Sequence, residues 1–394
     1  MSEPWVTIIG LHDGAESLPP ASLAALENAQ VIMGPARHLV LLPPRSARQI
    51  VWPVPFADGL PVLEGLRGQR VAVLVSGDPF WFGAGSVIAQ TLTPGEWVAL
   101  PSPSTFSLVA ARLGWPLEAT ACLGLHAAPI ARLAPQLMPG ARAIVLMRDG
   151  ASVALLAEWL TERGFGESRL TICEAMGGPR ERLREAYAGT YALADVQHPV
   201  AVALKIAGDG RAFTWASGRA DDAFAHDGQI TKRPFRALAL SALAPRAGET
   251  LWDIGGGSGS ISVEWCLSHP SLRATCIEPR ADRLAVIREN IARFGVAVDV
   301  IEGSAPEAFA GLSRPDAVFV GGGLSEELLV ALEPLRDVRL VAHAVTLESE
   351  ALLSTWAARK GGALMRIDIA QAEPLGRMRG WVPARPIVQW AGVL

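Results

Sequence analysis

Asp253-Ile254-Gly255-Gly256-Gly257-Ser258-Gly259-Ser260 follows the apolar run Thr250–Ile254 and opens a helix-forming run, Ser260–Leu267, so four glycines stand where a strand hands over to a helix. That junction is where open α/β sheets bind ligands, and glycine lets the backbone come close to one. A dinucleotide pattern, G-x-G-x-x-G, begun at Gly255 needs glycine at 260, where the chain has serine. What stands there is G-x-G-x-G preceded by an acid. Glu278 ends the next strand, 19 residues beyond Gly259. A carboxylate there accepts both hydroxyls of a ribose and rejects a ribose phosphate. A purely structural turn and an NAD site are the alternatives.

Outward from this loop the second half alternates strands with helices. Strands are predicted at Thr250–Ile254, Arg273–Ile277, Val296–Ile301, Ala317–Val320, Arg339–Ala342, Ala363–Ile369 and Ile387–Trp390, with helices at Arg233–Ala242, Ser260–Leu267 and Ala281–Phe294. The first half reads likewise as α/β with largely parallel sheets. Its strands are Val6–Ile9, Val31–Met33, Val71–Val75, Ala143–Met147 and Val200–Leu204, with helices at Ala21–Ala29, Ser86–Thr91, Thr105–Arg112 and Ser152–Arg163. A Pro- and Ala-rich run, Leu113–Met138, divides that half into two lobes with a cleft expected between them. Residues 207–225, polar and strand-poor, are the expected linker between domains 1–206 and 226–394.

The chain has 394 residues, room for two or three domains, of which 50% are apolar and 19% charged, with a net charge of −4. Disorder is excluded by that balance, and no nucleic-acid partner is expected. No apolar run reaches the roughly 18 residues of a membrane span, so a cytoplasmic protein without a membrane partner is expected. The four cysteines lie far apart and the seven histidines form no ligating pair on one helix face, so no metal is expected.

The glycine loop with its leading acid and Glu278 resembles the class I S-adenosylmethionine (SAM) methyltransferases. The resemblance implies a Rossmann-like domain in which Asp253 supports the methionine end of the cofactor. Gly255, Gly256, Gly257 and Gly259 form its loop, Glu278 holds the ribose, and Thr231 touches it. Ser304 and Ala305, at the end of Val298-Asp299-Val300-Ile301-Glu302-Gly303-Ser304-Ala305, lie by the adenine. Val75-Ser76-Gly77-Asp78-Pro79-Phe80, between Ile8-Ile9-Gly10-Leu11-His12-Asp13-Gly14 and Pro101-Ser102-Pro103-Ser104-Thr105-Phe106-Ser107, resembles a different family, the tetrapyrrole (precorrin) methylases. These are two-lobed enzymes with SAM in the cleft. Gly77, Asp78 and Phe80 are then expected to line the pocket, Ser104 and Thr105 to touch the adenosine or carboxylate end, and Met147 and Ala201 to lie opposite. His12 is either a general base or an exposed loop histidine.

The two halves in this order, with local matches at Ala36-Arg37-His38-Leu39 and Thr171–Gly178, resemble the bifunctional precorrin methyltransferases of cobalamin synthesis. That resemblance implies two SAM sites and a precorrin-6B substrate methylated at C5 by the first half. The second half would methylate C15 and decarboxylate the ring C acetate, giving precorrin-8X. A homo-oligomer is expected. A precorrin bears many carboxylates, and arginine holds carboxylates bidentately. Lys232, Arg233 and Arg236 before the loop, and Arg377 and Arg379 beside Trp381, are the candidate clamps, with solvated surface as the alternative. Methyl transfer from SAM needs no protein nucleophile, so Asp253 and Glu278 are expected to be ionised well below pH 7 and the pH dependence to be shallow. The competing functions are a SAM methyltransferase of another acceptor and a SAM-sensing module. Against an amine acceptor, Phe319-Val320-Gly321-Gly322-Gly323 stands where an N/D-P-P-Y/F motif would orient the amine.

Overall fold

The computed structural model describes residues 4–12, 18–212 and 214–394, which leaves Asp13 and Gly14 of the first motif outside the described residues. The chain divides into two compact units, 1–130 with 136–212, and 131–135 with 213–394.

In the first unit, buried β-branched runs make a parallel sheet of β1 (Val6–Leu11), β2 (Val31–Gly34), β3 (Arg48–Val51), β4 (Val71–Ser76) and β5 (Trp97–Leu100), in the order β3-β2-β4-β1-β5. β1 and β4 are almost wholly buried, as strands of a sheet covered on both faces must be. Helices α1 (Pro20–Asn28), α2 (Ala36–Leu39), α3 (Gly59–Glu64) and α4 (Gly85–Thr91) connect them. α5 (Thr105–Leu113) begins at Ser104, whose hydroxyl caps it by accepting from the Ser107 N–H, and ends at Gly114 in the left-handed conformation.

A second sheet follows, of β6 (Ala121–Gly124), β7 (Arg142–Met147), β8 (Arg169–Glu174), β9 (Arg182–Tyr187) and β10 (Val200–Lys205), in the order β6-β7-β10-β8-β9. Here the expectation of largely parallel sheets is corrected. Only β6–β7 is parallel, while β7–β10, β10–β8 and β8–β9 are antiparallel. α6 (Gly150–Glu162) is the one α-helix among these strands, and β8 runs to β9 through a short turn, so no crossover forces parallel pairing. Phe106 and Val109 of α5 pack with Ile144, Cys173 and Ala201 of this second sheet.

The second unit holds α7 (Arg233–Leu243), α8 (Ser260–Ser268), α9 (Ala281–Phe294), α10 (Glu326–Leu332) and α11 (Leu347–Lys360). They pack with a sheet of β11 (Thr250–Ile254), β12 (Arg273–Glu278), β13 (Val298–Glu302), β14 (Ala317–Val320), β15 (Arg339–Ala344), β16 (Ala363–Ile367) and β19 (Ile387–Val393). Its order is β13-β12-β11-β14-β15-β19-β16. The first five strands are parallel, and β19 returns antiparallel between β15 and β16. Chain order reverses between β11 and β14, the switch point where such sheets bind ligands. β17 (Ala370–Leu375) and β18 (Met378–Pro383) form a separate hairpin that the sequence did not signal.

From residue 214 onward the expected linker is part of the second unit. The Phe224 ring lies 5.0 Å from that of Phe294, tilted against it, and packs with Val263, and Asn290 Nδ2 and Oδ1 bond the Ala225 backbone at 2.9 and 2.8 Å.

Candidate functional sites

In the second unit the quoted loop leaves β11 at the switch point. Gly255, Gly257 and Gly259 all have positive φ, which a side chain resists, and the Gly255 N–H donates to the Ile277 carbonyl at 2.9 Å. Gly256 is glycine for a different reason: a Cβ there would lie 2.1 Å from the Cys276 Sγ. A Cβ on Gly257 would meet no atom closer than the Gln229 carbonyl oxygen at 3.8 Å, so the loop faces open room, the cradle a nucleoside needs. Beneath it the Glu278 carboxylate is fixed by the Gly257 N–H at 2.8 Å and the Arg280 N–H at 3.1 Å. Each of its oxygens takes one such bond and retains lone pairs for a ligand hydroxyl. Ser304 and Ala305 come just after β13, whose Glu302 is in register with Glu278, so they share the carboxyl edge of the sheet.

Asp253 is buried one residue short of the end of β11, where it accepts from the Ser262 N–H at 3.1 Å and the Ser262 hydroxyl at 2.7 Å. Burial pushes its pKa up to about 7; the Ser262 bonds only partly offset this, and the Glu278 charge adds to it. The expectation that Asp253 ionises well below neutrality is therefore corrected, because no cation among these influences compensates its lost hydration.

Of the candidate clamps, Arg236 is excluded by its surroundings. It is fully buried, Nε donates to Glu264 at 2.7 Å, and Nη1 lies 3.2 Å from Asp221. Further bonds go to the Thr231 and Arg219 carbonyls, and the guanidinium lies over the Phe224 ring. Its fork is committed to holding 214–232 in place. Thr231 thus meets α7 through its backbone. Lys232 and Arg233 are exposed at the start of α7, with Lys232 3.9 Å from Asp221. Arg377 and Arg379 are exposed on the β17–β18 hairpin, where Arg379 donates to the Ala372 carbonyl at 3.0 Å.

In the first unit a cavity of about 210 Å³ opens between the two sheets. Of the expected residues, Gly77, Thr105, Met147 and Ala201 line it, Gly77 with φ of +55°. Asp78, Phe80 and Ser104 are not among its lining residues. Asp78 Oδ1 accepts from the Phe80 N–H at 2.8 Å and shapes the turn that carries Gly77. Phe80 places its ring 5.5 Å from that of Trp97, and Ser104 is occupied as the α5 cap. Phe82, at positive φ, lines the cavity instead, a position no sequence pattern announced. His12 also lines it and burial lowers its pKa, so it is not an exposed loop histidine. His126 and His198 join it, as does Arg37, whose Nη2 donates to the Ser76 hydroxyl at 2.6 Å. Among the described residues no group of three or more His, Cys, Asp or Glu is placed to hold a metal, and no helix is long and apolar enough to cross a membrane.

Family models match both units: tetrapyrrole (corrin/porphyrin) methylases over residues 6–191, and a precorrin methyltransferase domain over 222–393. A Sinorhizobium protein named precorrin-6Y C(5,15)-methyltransferase [decarboxylating] is 47% identical over 98% of this chain and 96% of its own length. The chain belongs to the precorrin-6Y C5,15-methyltransferase (decarboxylating) family. A Mycobacterium tuberculosis member of that family is 40% identical over 98% of the chain and 99% of its own. A Pyrobaculum calidifontis protein named probable cobalt-precorrin-6B C(15)-methyltransferase (decarboxylating) is 39% identical over 30% of this chain and 65% of its own. The crystal structure of the C-terminal domain of the Rhodobacter capsulatus precorrin-6Y C5,15-methyltransferase has 57% identity over 46% of this chain and all of that one, with a TM-score of 0.45. Within the family frame, the fold is a tetrapyrrole methylase half followed by a Rossmann-like methyltransferase half.

Proposed function

We propose that this chain is a SAM-dependent enzyme of cobalamin synthesis that methylates precorrin-6B at C5 and C15 and decarboxylates the ring C acetate, with the chemistry divided between its two units. The first unit, through the cavity beside Gly77, methylates C5. The second, through the loop at Gly255–Gly259, methylates C15 and decarboxylates. The observation that carries this reading is a cavity beside Gly77 in one unit and a glycine loop with open room at Gly257 in the other, in a family named for two methyl positions. The relative named for C15 methylation with decarboxylation aligns with less than a third of the chain, which supports assigning those two steps to one unit.

SAM, when bound, supplies a methyl group already activated by its sulfonium, so the protein's task is to position an electron-rich carbon in line with it. In the second unit Glu278 would hold the ribose, with room for it beside Gly257. Asp253 would support the methionine end, where an ammonium would favour the ionised form of the buried carboxyl. Ser304 and Ala305 would border the adenine. Lys232 and Arg233, with Arg377 and Arg379 of the hairpin, are the cations that remain to receive substrate carboxylates. Loss of the acetate carboxylate as carbon dioxide leaves its bonding pair in the conjugated macrocycle until a proton taken from solvent converts the remaining methylene to a methyl group, and the loss is favoured where that carboxylate is stripped of water. In the first unit Gly77 and Thr105 on one wall and Met147 and Ala201 on the other would enclose the cofactor.

The test is a product mass measurement on the full chain with purified precorrin-6B. Asp253→Ala should block release of carbon dioxide and one methylation. Asp78→Ala, which removes the acceptor for the Phe80 N–H and loosens the Gly77 turn, should spare decarboxylation and stop the other methylation. If Asp78→Ala, folded and with its second SAM site filled, abolishes carbon dioxide release, the division of labour is wrong.

A further inference from the structure

We propose that Arg37 is the carboxylate anchor of the first unit's cavity, an assignment that rests on the reading of that cavity as the C5-methylating site. The sequence offered cationic clamps only in the second unit. Arg37 lies in α2, immediately beyond the end of β2, and its side chain reaches the cavity wall beside Ser76 and Gly77 at the carboxyl end of β4. The 2.6 Å bond from Nη2 to the Ser76 hydroxyl tethers the guanidinium there. None of the described residues lining the cavity is acidic. Its other titratable nitrogen groups are His12, His126 and His198, and burial lowers the pKa of the first two, which keeps them neutral near pH 7. Cys173, on the second sheet, is also held neutral, its thiol pushed up to about 12. Arg37 is therefore the one permanent cation among the described lining residues, facing an apolar wall that includes Leu146, Met147 and Ala201.

An anion entering such a place loses water and finds its compensation at Arg37, whose planar fork matches the two oxygens of a carboxylate. Two ligands of this cavity carry carboxylates, the precorrin side chains and the methionine end of SAM. The shared chemistry is the carboxylate, and the test separates its sources.

The experiment uses the full chain carrying Arg37→Gln or Arg37→Lys. It reads the KM for precorrin-6B in the C5 methylation and, by calorimetry, the affinity of S-adenosylhomocysteine at each site. Arg37→Gln should weaken one of these constants by at least about tenfold, and Arg37→Lys should recover part of it, since it keeps the charge and loses the fork. A raised precorrin KM with unchanged S-adenosylhomocysteine affinity identifies a precorrin carboxylate; weakened S-adenosylhomocysteine binding at one site with unchanged KM identifies the methionine carboxylate. Unchanged constants overturn the proposal, as does a loss in both that follows a lowered melting temperature. If Arg37→Gln fails to fold, Arg37→Lys carries the same comparison. Asp78→Ala in parallel separates the two failures. Should it leave both methylations intact, the assignment of C5 chemistry to this cavity falls, whereas Arg37 is judged by the binding constants alone.

Discussion

Asp253 shows how a single buried carboxyl can set a pH dependence. Because its pKa is raised to about 7 in the folded protein, the folded state keeps a proton that the unfolded chain has already released. Stability therefore falls as pH rises from roughly 4 through 7, the opposite of the usual salt-bridged aspartate. Urea unfolding of the ligand-free chain at pH 5 and pH 8 should show this loss, and Asp253→Asn should remove that part of the slope; parallel slopes in both proteins would refute it. The same shift couples to the cofactor. S-Adenosylhomocysteine should bind the second unit several-fold more tightly at pH 8 than at pH 6, because at the lower pH binding has to displace the Asp253 proton and at the higher pH that proton is already gone, and the Asn variant should lose that dependence. Gly256 gives a purely steric counterpart. Gly256→Ala would drive a methyl into the Cys276 Sγ, an overpacking that costs about 1–3 kcal/mol. Weaker S-adenosylhomocysteine binding and a lower melting temperature are expected, with partial recovery when Cys276→Ala is added to the same chain.

At the scale of elements, the segment 214–232 works as a strap across the second unit. Its Gly218 and Arg219 N–H groups donate to the buried Glu264 carboxylate at 2.7 and 2.9 Å, which also receives Arg236. Asn290 ties the Ala225 backbone to the Ser258 carbonyl of the glycine loop, so the strap and the loop share one side chain. A fragment beginning at 226 would lack Gly218, Arg219, Asp221 and Phe224 and leave Glu264 with Arg236 alone. Removing partners from a buried ion pair costs about 3–5 kcal/mol. A fragment of residues 213–394 should therefore fold and bind S-adenosylhomocysteine, whereas 226–394 should be insoluble or melt far lower; equal melting temperatures would show the strap to be dispensable. The strap's composition, polar with scattered glycine, is what a linker also looks like. Its strand-free backbone gives no periodicity, and only the distant Glu264 and Asn290 reveal that its N–H groups are satisfied. β9 escaped notice for a related reason: in Arg182-Leu183-Arg184-Glu185-Ala186-Tyr187 the charged residues of an edge strand hide its pairing with β8.

For the whole molecule, the proposed pair of sites, one in each unit, predicts that calorimetric titration of S-adenosylhomocysteine saturates near two equivalents per chain. One equivalent, with both units folded, would contradict the two-site reading. The glycine loop, the strand before it and the place of Glu278 at the end of the next strand were legible in the sequence because their backbone conformations depend on neighbours in the chain: positive φ at Gly255, Gly257 and Gly259 favours glycine whatever surrounds it. The order of the two halves and most buried strands were legible for the same local reason, runs of β-branched residues bounded by turns. Tertiary structure alone decided which side chains reach a site. Arg236 and Arg37 are both arginines near a predicted binding element, yet one is fully buried against Glu264 and Asp221 while the other, bonded to Ser76, lines a cavity. Phe80 and Phe82 are two residues apart, and the backbone turn between them sends the first to Trp97 and the second to the cavity. The charge state of Asp253 belongs to this class too, because desolvation is a property of everything packed around a carboxyl and is not written in the residues beside it.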